Sequence, residues 1–222
     1  MPTQALSAYG IQVRLGDGAA HGALAVSDAS NTTPIFVTTA TPHGIVDVSI
    51  VTVFGATGNL AANGTWVVDA TSPTILRLRG SVGSGTYAGG GNVAQVSSFQ
   101  PIAELTNVQD AGVMADLVDA SAHDGSGWSS RVPTLLSSSA IRLSLHLVPD
   151  DPTHDPVTGL EHLLLNKLER WFLIVFPDPA KTAWAFSGWV TTHRVQGPVA
   201  GLLTADTTIT FTDAGYLAGI AG

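Results

Sequence analysis

The sequence predicts a mainly β protein with a single helix. Three observations predict it. The first hundred residues hold short β-branched runs cut by glycine-rich turns. The later part holds longer segments that alternate apolar and polar residues. One leucine stripe has helical spacing. The 222 residues allow one domain or two small ones, and an apolar share of 45% supplies a core. Only 12% of the residues are charged, about half the roughly 25% of an ordinary soluble chain. Such a chain is not intrinsically disordered, which takes low hydrophobicity with high net charge. A surface poor in Lys and Glu but rich in Ala, Gly, Ser, Thr and Val is expected to be partly covered, so self-assembly is the first expectation.

The elements follow in chain order. Pro34 to Thr39 and Val46 to Phe54 are β-branched runs, followed by Gly64 to Asp69 and the alternating Thr74 to Arg79. Gly55, Gly58, Asn63 and Gly64 punctuate them, and the run Gly80 to Gly91 reads as a flexible hairpin or loop. Five short strands at this spacing suggest a small all-β module between Gly16 and Ser98. Beyond Ser98 the elements lengthen. Pro101 to Val108 and Val113 to Ala120 are extended, with a turn at Asp110–Gly112. Ile141 to Leu147 puts Ile141, Leu143, Leu145 and Leu147 on one face and Arg142, Ser144 and His146 on the other, the pattern of a half-buried antiparallel strand. Trp171 to Phe176, Ala183 to His193 and Leu202 to Thr212 are three more strands. Thr158–Glu161 has the capping-box pattern, and Leu160, Leu163, Leu164 and Leu168 form one face of a helix of about eleven residues. Lys167 and Arg170 then suit the helix C-terminus.

The formal charge of −8 is uneven: four acidic against three basic residues up to Ser98, thirteen against six after it. That balance argues against a binder of phosphate backbones, which carries a basic stripe. With no cysteine, disulfides, thiolate metal sites and a cysteine nucleophile are excluded. No apolar run approaches the roughly 20 residues that span a bilayer, so no membrane partner is expected. The N-terminus shows no basic region followed by an apolar core, so no secretory signal is expected.

The seven histidines show no metal-ligand spacing, so no metal or other cofactor is expected. His146 reads as an outward strand residue and His162 as a helix flank. Asp119, Ser121 and His123 include the three residue types of a catalytic triad, but triads are assembled from separate elements. The better reading is a loop tip at Asp124–Gly127, and no enzyme is expected. Asp150, Asp151 and Asp155 lack the calcium-loop alternation and read as a solvated turn. Trp66, Trp171 and Trp184 read as core. Trp128, between a glycine-rich tip and Arg131 and Pro133, reads as an anchor into a neighbour.

The run from Ile102 to Thr212 resembles the major tail tube proteins of long-tailed siphophages, the lambda-type tail tube family. The landmarks are I-A-E-L-T-N-V (102–108), D-L-V-D-A-S-A-H-D (116–124), V-P-T-L (132–135), I-R-L-S-L-H-L (141–147), T-H-D-P-V-T-G-L (153–160), W-F-L-I-V-F-P-D (171–178), W-A-F-S-G-W-V (184–190) and L-T-A-D-T-T-I-T-F-T (203–212). Tyr9 to Gly18 looks like the family's first strand. The intervening residues are similar to the first catalytic-cysteine half-domain of ubiquitin-activating enzymes, carried by T-T-A-T-P-H-G (38–44), G-A-T-G-N-L-A-A-N-G-T-W (55–66) and G-S-V-G-S-G-T-Y-A-G-G-G (80–91), though without any cysteine.

The resemblance implies a discontinuous tail tube domain, residues 1–18 and 99–222, with a β-sandwich or barrel and one flanking helix. Residues 19–98 would be an inserted small β-domain on the outer surface, and deletion from Ala20 to Ser97 should leave tube formation intact if the insert is decoration. The chain would form hexameric rings that stack into a hollow, non-contractile tube conducting DNA during ejection, in the virion after assembly in the host cytoplasm. Its partners would be itself, a tape measure inside, tail-tip and terminator proteins at the ends, and a host surface or glycan for the insert. An inter-ring arm would use Asp119, His123, Asp124, Trp128, Arg131 and Pro133. Glu104, Asp110, Asp116, Asp119 and Asp206 would make the lumen acidic, so that DNA passes without specific binding. A tail-tip or baseplate ring with the same fold and a carbohydrate-binding module are the alternatives.

Overall fold

The computed structural model describes residues 10–19, 21–109, 113–119, 131–138, 140–179, 181–212 and 216–218. It is mainly β, with a closed six-stranded barrel, a seven-strand antiparallel sheet and one short helix.

The chain opens with β1 (Gln12–Gly16) and then makes the barrel strands β2 (Ala23–Ala29), β3 (Ile35–Thr39), β4 (Ser49–Phe54), β5 (Gly64–Ser72), β6 (Ile75–Leu78) and β7 (Asn92–Gln95). Their order round the barrel is β2-β3-β6-β5-β4-β7, closed by β2 on β7. Inward positions alternate with outward ones: Ile35 and Val37, Val51 and Val53, and Leu76 and Leu78 are buried in one apolar cluster. The module therefore has six strands rather than five. The expected strand over 46–54 begins only at Ser49, because the backbone turns through a positive φ of 57° at Val48.

The glycine-rich run 80–91 is pinned, not flexible. Asn59, fully buried, donates to the Ala29 and Ser30 carbonyls and accepts from Ser84 N. Thr57 and Gly89 bridge backbone to backbone, and the Tyr87 hydroxyl donates to Val26 O and Gly90 O. At Gly58 a Cβ would fall 2.0 Å from Thr86 O, so only glycine permits that approach.

After the barrel come β8 (Phe99–Pro101), β9 (Leu105–Gln109), β10 (Val113–Asp119), β11 (Arg131–Ser138) and β12 (Ile141–His146). They are followed by α1 (Leu160–Asn166), β13 (Glu169–Val175), β14 (Ala183–Gln196), β15 (Thr204–Phe211) and β16 (Tyr216–Ala218). The sheet order is β8-β1-β13-β14-β15-β12-β9, with β16 pairing the start of β14. β10 and β11 form a separate antiparallel pair.

The chain divides into two compact units. The first holds the described residues up to Ile102, Arg170–Ala185 and β16. Within it Val48, Ile50 and Val67 of the barrel segment share one apolar cluster with Leu173, Val175, Ala183 and Ala185. Arg79, 5% exposed, reaches from its pairing with Asp69 to the Lys181 carbonyl at 2.7 Å. The chain enters and leaves the barrel at one point: Asp17 N donates to Ser98 O, and the Asp17 carboxylate accepts from the Ser97 hydroxyl and Ser98 N.

The second unit holds Ala103–Glu169 and Phe186–Gly215. Its helix differs from expectation. α1 spans seven residues, Gly159 is the N-cap, and no side chain caps it. The Thr158 hydroxyl instead donates to Pro152 O. The helix stops because Lys167 turns left-handed (φ 51°) and gives its N–H to the Leu163 and Leu164 carbonyls. Arg170 belongs to β13, not to a helical last turn.

Candidate assembly surfaces

The second unit presents two contrasting sheet faces. On one, Ile141, Leu143, Leu145, Ala205, Thr207 and Ile209 are buried. On the other, the ladder sets Gln109 and Asn107 of β9 beside Arg142 and Ser144 of β12. These stand beside Thr208 and Asp206 of β15, and those in turn beside Thr192 and Arg194 of β14. Strand alternation dictates the split. Except for Asn107, these polar-face residues line a depression together with Gln196, Leu143 and Thr207. Asp206 accepts from the Ser144 hydroxyl at 2.7 Å and stands opposite Arg194. Its carboxylate therefore lies on a face that also carries two arginines. Glu104, the other described member of the acidic set, is exposed just before β9 with a positive φ of 50°.

β9 forms one end of the sheet. It pairs with β12 alone among the described residues, and its Thr106, Asn107 and Gln109 are exposed. Its sequence, Leu-Thr-Asn-Val-Gln, has no charge and no proline, the usual protections of an edge strand. The opposite end, β8, is only three residues long and finishes at Pro101, so it is blunted in the usual way.

Of the expected arm residues, Asp119 ends β10, and Arg131 and Pro133 lie in β11, paired with Asp119 and Leu117. Asp116 lies in β10. His123, Asp124, Trp128 and Asp110 lie outside the described residues.

The histidines divide differently from expectation. His146 is half-buried, and its Nδ1 is shut from solvent without a partner. His154, 2% exposed, accepts from Val148 N at 3.0 Å and lies 3.1 Å from Ala103 O. It staples the 151–159 turn in place, so that turn is not simply solvated. Burial would raise the Asp151 carboxyl. The Thr153 hydroxyl and amide, with His154, outweigh it and hold the group below its ordinary value. His193 of β14 meets the Thr207 hydroxyl at 2.8 Å, while its Nε2 is buried and unpartnered. Burial lowers its affinity for a proton, opposed by Glu161 of α1 and reinforced by His154. Among the described residues no three metal-ligating side chains converge. Trp66, Trp171 and Trp184 are half-buried; Trp66 and Trp171 pack against apolar clusters, and Trp184 sits edge-on to Phe176.

No family model matches the sequence, and no curated protein matches it. Two solved structures are similar to part of the chain. One is the tail of an empty GTA particle, helically refined with C6 symmetry: 16% identity, TM-score 0.46, covering 55% of this chain and 87% of the other. The second is the six-fold symmetrised baseplate of the anti-feeding prophage: 9% identity, TM-score 0.43, covering 56% of this chain and 88% of the other.

The edge position of β9 among the described residues was not visible in the sequence. The run 105–109 reads like any other strand, and its place at the end of the sheet is decided by residues 141–146, far along the chain.

Proposed function

We propose that this chain is a structural subunit of a phage-like tail, and that copies close through their sheet edges into six-fold rings that stack as a hollow tube conducting DNA. The single observation that carries the reading is the edge of β9: five residues, unpaired on one side among the described residues, uncharged and without proline. An edge of that kind is a template for another strand, and ring closure removes it from solvent. The order of the sequence landmarks from Ile102 to Thr212 supports the same reading, as does a surface with few charges. On this reading the β10–β11 pair, with Asp119, Arg131 and Pro133, belongs to an arm between rings. Glu104, Asp110, Asp116, Asp119 and Asp206 give the passage its negative charge, and the 19–98 module lies on the outer wall. The protein works by geometry, with no enzymatic step.

Negative-stain electron microscopy of the purified chain across concentrations tests this. Long hollow tubes with knobbed walls are the expected result. Discrete rings that never stack would assign the protein to a tail tip or baseplate instead. Monomers at every concentration would overturn ring formation.

A further inference from the structure

The depression on the polar face of the second unit holds strong donors, an acceptor and a neighbouring exposed ring. It lies wholly within that unit and has a volume of about 470 Å³, inside the roughly 300–1,000 Å³ of small-molecule sites. Its lining is net positive in a chain of net charge −8, because Arg142 and Arg194 surround one carboxylate, Asp206. Asp206 stands opposite both Ser144 and Arg194 in the ladder, yet no ion pair joins it to Arg194. The Ser144 hydroxyl donates to one of its oxygens at 2.7 Å, and the Gln196 amide reaches the other at 3.5 Å. A carboxylate has about four acceptor positions, so Asp206 retains room for a donor from outside. The same face continues to Trp189, which stands opposite Thr210 and is 47% exposed.

We propose that this depression binds a sugar acid: a pyranose-sized ligand with one carboxylate and several hydroxyls, free or as a unit of an acidic polysaccharide. The guanidinia take the carboxylate, since Arg only donates and its planar fork matches that group. Asp206 and the neighbouring side-chain amides take the hydroxyls. The flat indole of Trp189 receives the apolar C–H face of the ring through dispersion contacts. Asp206 and the strand positions select against other anions. A DNA backbone brings phosphates without hydrogen-bond donors, which the central carboxylate and the acidic chain repel. An extended peptide finds no main-chain partner, because β12, β15 and β14 are interior strands whose backbone groups are used in the ladder. The site is complete in one copy and needs no ring. Assembly decides only access: with Asp206 toward the passage, a polysaccharide reaches free subunits but not tubes.

Ligand-observed NMR titration of the full chain with D-glucuronate, D-galacturonate and N-acetylneuraminate tests the proposal. At least one is expected to bind. Glucose, which lacks the carboxylate, and acetate, which lacks the ring, are each expected to bind roughly tenfold or more weakly. Arg194→Ala is expected to cost roughly tenfold in sugar-acid affinity, with an unchanged thermal midpoint because the side chain is exposed. Trp189→Ala is expected to weaken the sugar acids and leave acetate unchanged. Polygalacturonate separates the two sources: binding marks a polymer ligand, and its failure beside a bound monosaccharide marks a free sugar acid. Glucose or acetate binding as well as the sugar acids, or sugar-acid binding that Arg194→Ala leaves intact, overturns the site. So does the failure of all three sugar acids, or tighter binding of a DNA oligonucleotide or a Glu-rich peptide. None of these results touches the ring reading, which electron microscopy decides separately.

Discussion

The barrel and the second unit handle exposed backbone in opposite ways. In the barrel every strand has two neighbours, and the loops at one end are tied by a buried asparagine and backbone bridges. Its pair of arginines is held locally, Arg77 and Arg79 both reaching the one carboxylate of Asp69. The second unit keeps an uncharged edge at β9, unpaired on one side among the described residues, and an uncharged exposed hairpin after β14. A closed barrel has nothing left to pair, whereas an open edge is a standing offer of hydrogen bonds. On the proposed reading, association belongs to the second unit and internal stability to the barrel.

Charging the β9 edge should have the largest effect. Asn107→Lys with Gln109→Lys puts two cations on exposed positions of β9. Assembly, followed by light scattering, is expected to be abolished while the thermal midpoint stays within a few degrees. Normal assembly of this variant would remove β9 from the account. The next effect belongs to the barrel. Asp69→Ala strands the buried Arg79 guanidinium without its carboxylate, a loss of about 3–5 kcal/mol for a broken buried pair. Urea denaturation should show it. A cost below about 1 kcal/mol, the level of a surface pair, would mean that solvent reaches Arg79.

The smallest effect concerns pH. His193 binds a proton less readily in the folded chain than its ordinary value of 6.5 implies, chiefly through burial. The unfolded chain therefore takes the proton first. The stabilisation is complete above about pH 6.5 and is lost as pH falls through the lower, folded-state value. The urea midpoint is expected to drop from about pH 7.5 to pH 5, and His193→Gln should flatten part of that drop. An identical profile in both proteins would assign the dependence to other groups.

Local pattern carried the strand content, because β-branched runs such as Ile35–Thr39 and the alternation of Ile141–His146 record both conformation and facing. The barrel's closing strands were not legible. Ala23–Ala29 and Asn92–Gln95 are short of large apolar residues, and their pairing is settled across nearly seventy positions. The helix was legible by its leucines but misjudged at both ends. The Thr158 hydroxyl is spent on the preceding turn, and Arg170, read as suiting the helix C-terminus, lies in the strand that contains Leu173. The hairpin patch was hidden for a similar reason: Leu202 and Leu203 read as the start of a strand that begins only at Thr204.

The clasp at Asp17 also bears on the order of folding. Asp17 and Ser97 are 80 positions apart, yet side chain meets side chain at 2.9 Å. Bringing such distant points together in an open chain carries a loop-closure cost that grows with the logarithm of the separation. Once the barrel has closed, its two ends are already neighbours, and the pairing of β1 with β8 becomes as local as a hairpin. The barrel thus shortens the effective chain and lowers the entropic barrier to aligning the sheet's distant strands.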